Sequence, residues 1–157
     1  MIRAENVDYT YEGSKIKALD HLSLNIRKGK KVAVMGGNGC GKSTFFLCLN
    51  GIRRPESGRI FIDGKPIEYT KKGLLDVRRK IGIVFQNPDE QLFSASVYEE
   101  ISFGILNMGA DEETAEKAVR QIIEELGLSA FQEEPTHALS GGQKKQVAIA
   151  DILDYAS

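Results

Sequence analysis

The sequence lacks any apolar run approaching the roughly 18 residues that a membrane-spanning helix needs. Its first residues, MIRAENVDYTYEG, contain no apolar core of the kind that secretory signal peptides carry. The only two cysteines, Cys40 and Cys48, are too few for a disulfide framework and are typical of reduced cytosolic thiols. We therefore expect a soluble, cytosolic, single-domain globular protein.

The sequence also lacks an excess of charge of either sign. Its 157 residues include 21 basic and 22 acidic residues, for a formal net charge of −1. Bulk electrostatics therefore give no reason to expect a nucleic-acid partner. Internal repeats, low-complexity segments and heptad runs are also missing from the sequence.

Alternating apolar and polar residues predict the first strands. The segments ENVDYTY, residues 5–11, and LSLNI, residues 22–26, show the period of two that half-buried strands have. The segment ESGRIFIDGKPI, residues 56–67, is typical of a hairpin whose turn is Asp63-Gly64. We expect short strands and turns over the first sixty-odd residues.

Two apolar runs predict strands of a different kind. Residues 32–35, VAVM, form a continuous apolar run that indicates a central strand buried on both faces. Residues 80–86, KIGIVFQ, predict a second buried strand that ends before Asn87-Pro88. The first 87 residues are thus expected to form a β-rich core of α/β type.

The chain is expected to be mainly helical from Pro88 to about Leu128, so residues 88–140 are assigned to a helical subdomain. Asp111 is a plausible N-cap and Gly127 a plausible stop for its longest helix. One face of that helix is predicted from the apolar positions Ala115, Ala118, Val119, Ile122, Ile123 and Leu126, with the charged residues on the solvated face.

A phosphate-binding loop is predicted at GGNGCGKS, residues 36–43, between an apolar run and the short apolar helix KSTFFLCLNG. Its glycines let backbone N–H groups approach phosphate oxygens, and the following helix points its positive end at the anion. Lys42 adds a full charge, and Ser43 offers a hydroxyl to Mg²⁺. The nucleotide-binding residues assigned here are Gly36, Gly37, Asn38, Gly39, Cys40, Gly41, Lys42, Ser43 and Thr44.

Cys40 lies inside this loop and has two interpretations. A helix N-terminus lowers a thiol pKa, which would suit a redox sensor. We favour the alternative, a small side chain at a position where the backbone does the binding.

The motif LSGGQ, residues 139–143, follows the loop by about 100 residues, just beyond the helical region. With it the chain resembles the ATP-binding subunits of ABC transporters, which are α/β P-loop NTPases with an antiparallel β subdomain and a helical insertion. The resemblance implies that two such subunits, identical or different, face each other and hold ATP between the P-loop of one and the LSGGQ of the other. Ser140, Gly141, Gly142 and Gln143 are assigned to this second half-site, where amides at a helix start form an anion nest. LSGGQ also occurs in ABC-type ATPases of chromosome maintenance, but their long coiled coils have no counterpart here.

The same resemblance implies roles for two single residues. Tyr11 matches the aromatic residue that stacks on adenine, and the alternative is an ordinary strand aromatic. Gln86 matches the glutamine that senses Mg²⁺ and contacts the transmembrane partner, and the alternative is a polar group at a strand end. Ser43 and Gln86 are thus the expected Mg²⁺ residues.

Residues 85–104, FQNPDEQLFSASVYEEISFG, resemble a narrower group, the ATPases of energy-coupling-factor importers for cobalt, nickel or vitamins. That resemblance implies a groove for a helix of a transmembrane coupling subunit and a location on the inner face of the cell membrane. The alternative is that the apolar residues of the segment pack the helical subdomain, and both can hold in part. The residues in question are Phe85, Leu92, Phe93, Val97, Ile101 and Phe103.

Beyond its signature, the family has an apolar run ending in Asp-Glu and, later, a histidine that contacts the γ-phosphate. The sequence contains neither, since His21 and His137 both precede LSGGQ. Residues 147–151, VAIAD, stand where the family has a helix, so we expect a helix there and not a substitute motif. We assign no catalytic residue and expect a chain truncated after the signature, without the C-terminal part of the core, that hydrolyses ATP very slowly.

The leading interpretation is therefore the ATP-binding subunit of an energy-coupling-factor importer, truncated and impaired in hydrolysis. Two alternatives stay open. One is a non-catalytic ATP-binding or interaction module that pairs through LSGGQ, and the other is a gene fragment without function.

Overall fold

The chain divides into two compact units, Met1–Arg78 and Arg79–Ser157. The structure, a computed structural model, describes residues 1–153. Each unit has its own buried apolar residues, with those of the second unit forming one continuous cluster.

A four-stranded antiparallel sheet forms most of the first unit. Its strands are β1 (Ile2–Thr10), β2 (Lys17–Ile26), β3 (Ser57–Ile62) and β4 (Lys65–Pro66), in the order β2-β1-β3-β4. Alternating burial along residues 22–26 confirms the half-buried strand predicted there. Strand β1 forms as predicted but buries three consecutive residues, Val7, Asp8 and Tyr9, where its pairing with β2 shifts register. The buried apolar residues of the strands are Ala4, Val7, Tyr9, Leu19, Ile60 and Ile62.

The predicted hairpin turn is confirmed between β3 and β4. Asp63 has a φ of 49° and Gly64 a φ of 80°. Two consecutive left-handed residues are what a two-residue hairpin turn requires, and Asp-Gly is one of the pairs that tolerates them.

Two helices complete the first unit. Helix α1, Lys42–Leu49, buries Thr44, Phe45, Cys48 and Leu49 and is followed by Gly51 with a φ of 76°, as predicted. Helix α2, Lys71–Arg78, was not predicted. It begins where the Thr70 hydroxyl accepts a hydrogen bond from the Gly73 amide at 3.0 Å.

The predicted central strand at residues 32–35 is wrong for this structure. Residues 31–37 have no regular secondary structure, and Val32, Val34 and Met35 are 56%, 38% and 88% exposed. A strand buried on both faces needs a ladder partner on each edge. No described residue supplies such a partner, so the apolar run stays outside the sheet.

The buried strand predicted at residues 80–86 is also wrong. Residues 81–85 are irregular, with exposed and half-buried positions alternating along them, and Val84 is 39% exposed. The same physical reason applies, because no strand of the described residues pairs with this segment.

The second unit is helical. It contains α3 (Val97–Asn107), α4 (Glu112–Glu125) and α5 (Gly141–Leu153), with short 3₁₀ turns at Pro88–Glu90, Ser129–Phe131 and Thr136–Ala138. Its core comprises Val97, Ile101, Ile105, Ala115, Val119, Ile122, Ile123, Leu128, Leu139, Val147 and Ala150.

The boundaries of α4 follow the sequence signals. Asp111 Oδ1 accepts a hydrogen bond from Thr114 N at 2.9 Å, and Gly127 has a left-handed φ of 66°. The helical interpretation of residues 147–151 is also confirmed, since they lie within α5 with Val147 fully buried. Across residues 1–153, no helix combines the length and the apolar character that a membrane span needs.

Candidate nucleotide site and signature turn

At its last residue, Gly41, the loop before α1 has a backbone that only glycine fits. Gly41 is the N-cap of α1 with a φ of 89°, and Gly39 has a φ of 79°. A Cβ atom on Gly41 would lie 2.1 Å from the backbone oxygen of Ala18 in β2. The sheet therefore sets how closely the loop and the first turn of α1 approach it.

Lys42 places its charge over the loop. Its Nζ donates hydrogen bonds to the backbone oxygens of Gly36 and Gly37, each at 2.8 Å, and lies 3.6 Å from Cys40 Sγ. The side chain thus folds back across the residues whose amides are expected to bind phosphate. An anion on this loop would meet an ammonium group already in place.

The loop also leaves room for a phosphate chain. A Cβ atom on Gly37 or Gly39 would meet no atom within 4 Å, and residues 36–40 are exposed. Ser43, in the first turn of α1, is exposed, so its hydroxyl can serve as a ligand to Mg²⁺. These residues fit the triphosphate of ATP with its Mg²⁺ ion.

Tyr11 lies beside the loop helix. Its hydroxyl is 3.0 Å from Thr44 Oγ1, and its residue is 39% exposed. Arg53 places its guanidinium 5.6 Å from the Tyr11 ring centroid, and Tyr9 contacts that ring edge to face at 5.1 Å. The sequence analysis missed the contacts with Thr44 and Arg53, because no motif links residues so far apart in the chain.

The two cysteines differ in environment. Cys40 is exposed, and a Cβ atom on Gly36 would lie 2.5 Å from its sulfur. Cys48 is buried in α1, and burial raises the pKa of its thiol to about 11. The close approach to Gly36 is consistent with Cys40 acting as a small loop residue.

The signature forms a helix cap. Ser140 Oγ accepts a hydrogen bond from Gln143 N at 3.3 Å, and Gln143 Oε1 accepts one from Ser140 N at 2.8 Å. This reciprocal pair is a capping box at the start of α5. The sequence analysis missed this local role, although the spacing Ser-x-x-Gln is its signal.

The capping box leaves the two glycines of the signature open. A Cβ atom on Gly141 or Gly142 would meet nothing within 4 Å. Within residues 1–153, no hydrogen bond engages the amide of either glycine, while the Lys144 amide bonds to the Ser140 oxygen at 2.9 Å. The first turn of α5 therefore presents two backbone donors, as an anion nest would.

Gln86 is exposed in the second unit, next to the segment NPDEQ, residues 87–91. Asn87 Oδ1 accepts a hydrogen bond from Asp89 N at 3.3 Å and caps the first 3₁₀ turn. Asp89 in turn pairs with Lys144 of α5, with 2.6 Å between Oδ1 and Nζ.

Two acids of the second unit lie away from bulk solvent. Glu100 is 1% exposed and its Oε2 accepts hydrogen bonds from the amides of Phe93 and Ser94, at 2.9 and 2.7 Å. Burial raises the pKa of Asp151 to about 6. The charge of Glu100 also raises this pKa, whereas the hydrogen bond from Gln91 lowers it.

The six apolar residues named for the segment 85–104 differ in burial, with Phe85 and Leu92 half-buried. Val97 and Ile101 are fully buried, as the packing interpretation requires. Phe93 is 68% exposed and Phe103 48% exposed, and their rings meet edge to face at 5.0 Å. An exposed aromatic pair of this kind is what the groove interpretation requires.

One cluster of potential metal ligands, Asp8, Asp20 and His21, lies on the sheet of the first unit. Lys17 Nζ is 3.2 Å from Asp8 and 2.9 Å from Asp20, so an ammonium group already offsets one of the two carboxylate charges. A hydrogen bond from the backbone N–H of His21 and another from the Ser57 hydroxyl lower the pKa of Asp8 to about 2. The arrangement serves to tie β1 to β2 and β3.

Comparison with known proteins identifies the family of the chain. The family model described as "ABC transporter" matches residues 19–156. The chain belongs to the ABC transporter family.

Its high-identity relatives are ATP-binding subunits of energy-coupling-factor transporters. The energy-coupling factor transporter ATP-binding protein EcfA3 of Clostridium perfringens is 48% identical over 98% of this chain. The solved structure of cbiO1 from Clostridium perfringens, described as part of the ABC transporter complex cbiONQ, is 47% identical over 98% of this chain, with a TM-score of 0.83.

A more distant cassette has the same fold. A dimeric ATP-binding cassette solved in a post-hydrolysis state with ADP and phosphate is 29% identical over 99% of this chain, with a TM-score of 0.86. The structure is thus an ABC ATPase fold that covers part of its relatives. The chain spans 53% of the EcfA3 relative, 61% of the cbiO1 chain and 70% of the distant cassette.

Proposed function

We propose that the chain is the ATP-binding part of an energy-coupling-factor importer and binds ATP with Mg²⁺ at residues 36–44. The observation that carries this proposal is the loop itself, in which left-handed Gly41 starts α1 and the Lys42 ammonium lies over the backbone of Gly36 and Gly37. In this proposal Ser43 is a Mg²⁺ ligand, Tyr11 stacks on adenine, and Gln86 senses the ion.

ATP binding can be measured directly by isothermal titration of the chain with ATP and Mg²⁺. Lys42→Ala should weaken binding by at least about tenfold, because a charge-assisted hydrogen bond contributes about 1.5–3 kcal/mol. Lys28→Ala is the matched control, since Lys28 is an exposed lysine outside the loop and its removal changes the net charge equally. Equal affinities for the Lys42→Ala variant and the wild type would refute the proposed site.

We propose that the 157-residue chain hydrolyses ATP slowly on its own. The residues beyond the signature include no Asp-Glu pair that could position the attacking water. A positioned general base contributes about 10²–10⁴-fold. Phosphate release should therefore be at least about 100-fold slower than for the complete EcfA3 relative, and comparable rates would contradict this expectation.

We propose that the signature acts on a second ATP-binding subunit, identical or different. The backbone N–H groups of Gly141 and Gly142, which no hydrogen bond engages within residues 1–153, support this role. They could donate to an anion held by another chain. A non-catalytic pairing module is the second candidate, and the same feature supports it. Both candidates should change the ATP turnover of a complete subunit mixed with the chain. Slow turnover by the chain alone that Lys42→Ala abolishes would identify the ATP-binding subunit, whereas a pairing module should show no turnover of its own.

We propose that Phe93 and Phe103 contact a transmembrane coupling subunit, which would place the chain on the inner face of the membrane. The support is their exposure as an edge-to-face aromatic pair. Replacing Phe103 by serine should weaken co-purification with such a subunit. Phe61→Ser is the control and should leave co-purification unchanged, because Phe61 lies in the separate sheet unit. Tyr98→Ser is a poorer control, because Tyr98 lies in the same unit as Phe103.

A further inference from the structure

The NPDEQ segment, residues 87–91, holds helix α5 at two points one turn apart. Near the signature, Asp89 Oδ1 lies 2.6 Å from Lys144 Nζ, and the Lys144 side chain is only 14% exposed. One turn further on, Gln91 Nε2 donates to the backbone oxygen of Ala148 at 3.1 Å and to Asp151 Oδ2 at 3.3 Å.

The amide of Gln91 also bonds in the opposite direction. Its Oε1 accepts a hydrogen bond from the backbone N–H of Phe85 at 3.3 Å. Phe85 precedes Gln86 directly and lies in an irregular segment, so no strand ladder engages this N–H. A side-chain amide can donate and accept at once, which neither a carboxylate nor an apolar side chain can do.

We propose that Gln91 is a positioning residue that fixes the backbone beside Gln86 against the helix that begins at the signature. The inference rests on the proposed function, because Gln86 and the signature act together only in an ATP-binding subunit. Within the second unit, one side chain then links the residue expected to sense Mg²⁺ to the helix whose first turn is expected to bind a partner's ATP.

The surroundings of Gln91 favour a strong link. Asp151 is half-buried, and a bond to a partly desolvated carboxyl group is stronger than the same bond in water. The Asp89–Lys144 pair lies on the same helix face, one turn towards the signature from Ala148, so the two contacts together oppose rotation of α5.

Hydrogen exchange of the chain without nucleotide tests the link itself. Gln91→Leu keeps the approximate volume and removes both hydrogen-bonding functions, so exchange at Phe85 and in residues 149–153 should become about five- to tenfold faster. Exchange in α4 should stay unchanged. Gln121→Leu is the matched control, because Gln121 is exposed on α4 and bonds only to Glu125 in its own helix.

A rescue experiment separates positioning from general stability. In the double variant Gln91→Glu with Asp151→Asn, the new carboxylate can accept from Phe85 N and from the new amide at position 151. Slower exchange at Phe85 in this double variant than in Gln91→Leu would support the link. Unchanged exchange at Phe85 in Gln91→Leu, or equal acceleration throughout the second unit, would overturn it.

Hydrogen exchange in the presence of ATP and Mg²⁺ tests whether the Gln91 link carries the effect of nucleotide binding to helix α5. In the wild type, nucleotide should alter hydrogen exchange in residues 141–153. Gln91→Leu should bind nucleotide equally well, but its hydrogen exchange in these residues should show at most about a third of that change. A full-sized change in Gln91→Leu, or none in a wild type that binds, would overturn the proposal. If the wild type does not bind ATP, the proposed function fails, while exchange without nucleotide still decides whether Gln91 forms the link.

Discussion

Alanine at Gly41 should destabilise the first unit far more than alanine at the other loop glycines. Gly41 has a left-handed backbone, and a Cβ atom there would lie 2.1 Å from the oxygen of Ala18. The left-handed conformation costs about 1 kcal/mol for a residue with a Cβ atom. Forcing the clash apart costs about a further 1–3 kcal/mol, because both partners are backbone or helix start. We expect Gly41→Ala to lower the free energy of unfolding by about 2–4 kcal/mol in total.

Two neighbouring glycines provide graded controls. Gly39 has a left-handed φ of 79° but open space around a Cβ atom, so Gly39→Ala should cost only about 1 kcal/mol. Gly37 has neither a left-handed φ nor a close neighbour, so Gly37→Ala should change stability by less than about 0.5 kcal/mol. The three substitutions add the same methyl group, and only the backbone environment differs.

Urea unfolding followed by far-UV circular dichroism measures the series. With a slope of about 2 kcal/mol per molar urea, Gly41→Ala should lower the midpoint by about 1–2 M and Gly39→Ala by about 0.5 M. The slope should stay constant across the variants. If the midpoint of Gly41→Ala lay within 0.2 M of that of Gly37→Ala, taking about 0.2 M as the error of such a fit, the contact between the loop and β2 would not exist in solution.

Three further predictions concern the second unit. Ser140→Ala removes the cap of α5 and should cost about 1 kcal/mol in urea unfolding, so an unchanged midpoint would contradict the capping box. Burial raises the pKa of Asp151 from 3.8 to about 6, so the folded wild type loses stability as the pH rises through that range. Asp151→Asn should therefore be more stable than the wild type above pH 6, by at most about 3 kcal/mol, and lose this advantage below about pH 4; a pH-independent difference would refute the assignment. Lys117→Ala removes an exposed pair with Glu113, and thermal melting should show a loss below about 0.5 kcal/mol, whereas a larger loss would mean that the pair is not solvated.

Local sequence signals predicted what local chemistry determines. Asp63-Gly64 defines a hairpin because few other residues accept two left-handed conformations in a row. Asp111 and Gly127 mark the ends of α4 because each satisfies helix-end groups within its own turn. The proposal of a phosphate-binding loop at residues 36–43 comes from the spacing of its glycines and lysine, which is the pattern that such loops require.

The errors arose where the outcome depends on distant residues. The apolar run at residues 32–35 has the composition of a buried strand, but composition does not supply a ladder partner. The contact of Gln91 with Ala148 spans 57 positions in the chain, and that of Tyr11 with Thr44 spans 33. Such contacts follow from how the elements pack, and no periodicity or motif in one segment encodes them.

The loop is held unequally along its length. At its C-terminal end, Gly41 rests against β2, and α1 buries Phe45 and Cys48, so this half is anchored by the sheet unit. At its N-terminal end, residues 32–38 are exposed and belong to no strand, so the Gly36 and Gly37 oxygens are tied mainly through Lys42 Nζ. A phosphate that attracts Lys42 would compete with those two hydrogen bonds. If the loop binds nucleotide as proposed, its affinity depends on how much of the loop order Lys42 supplies, and Lys42 then acts on the shape of the site as well as on its charge.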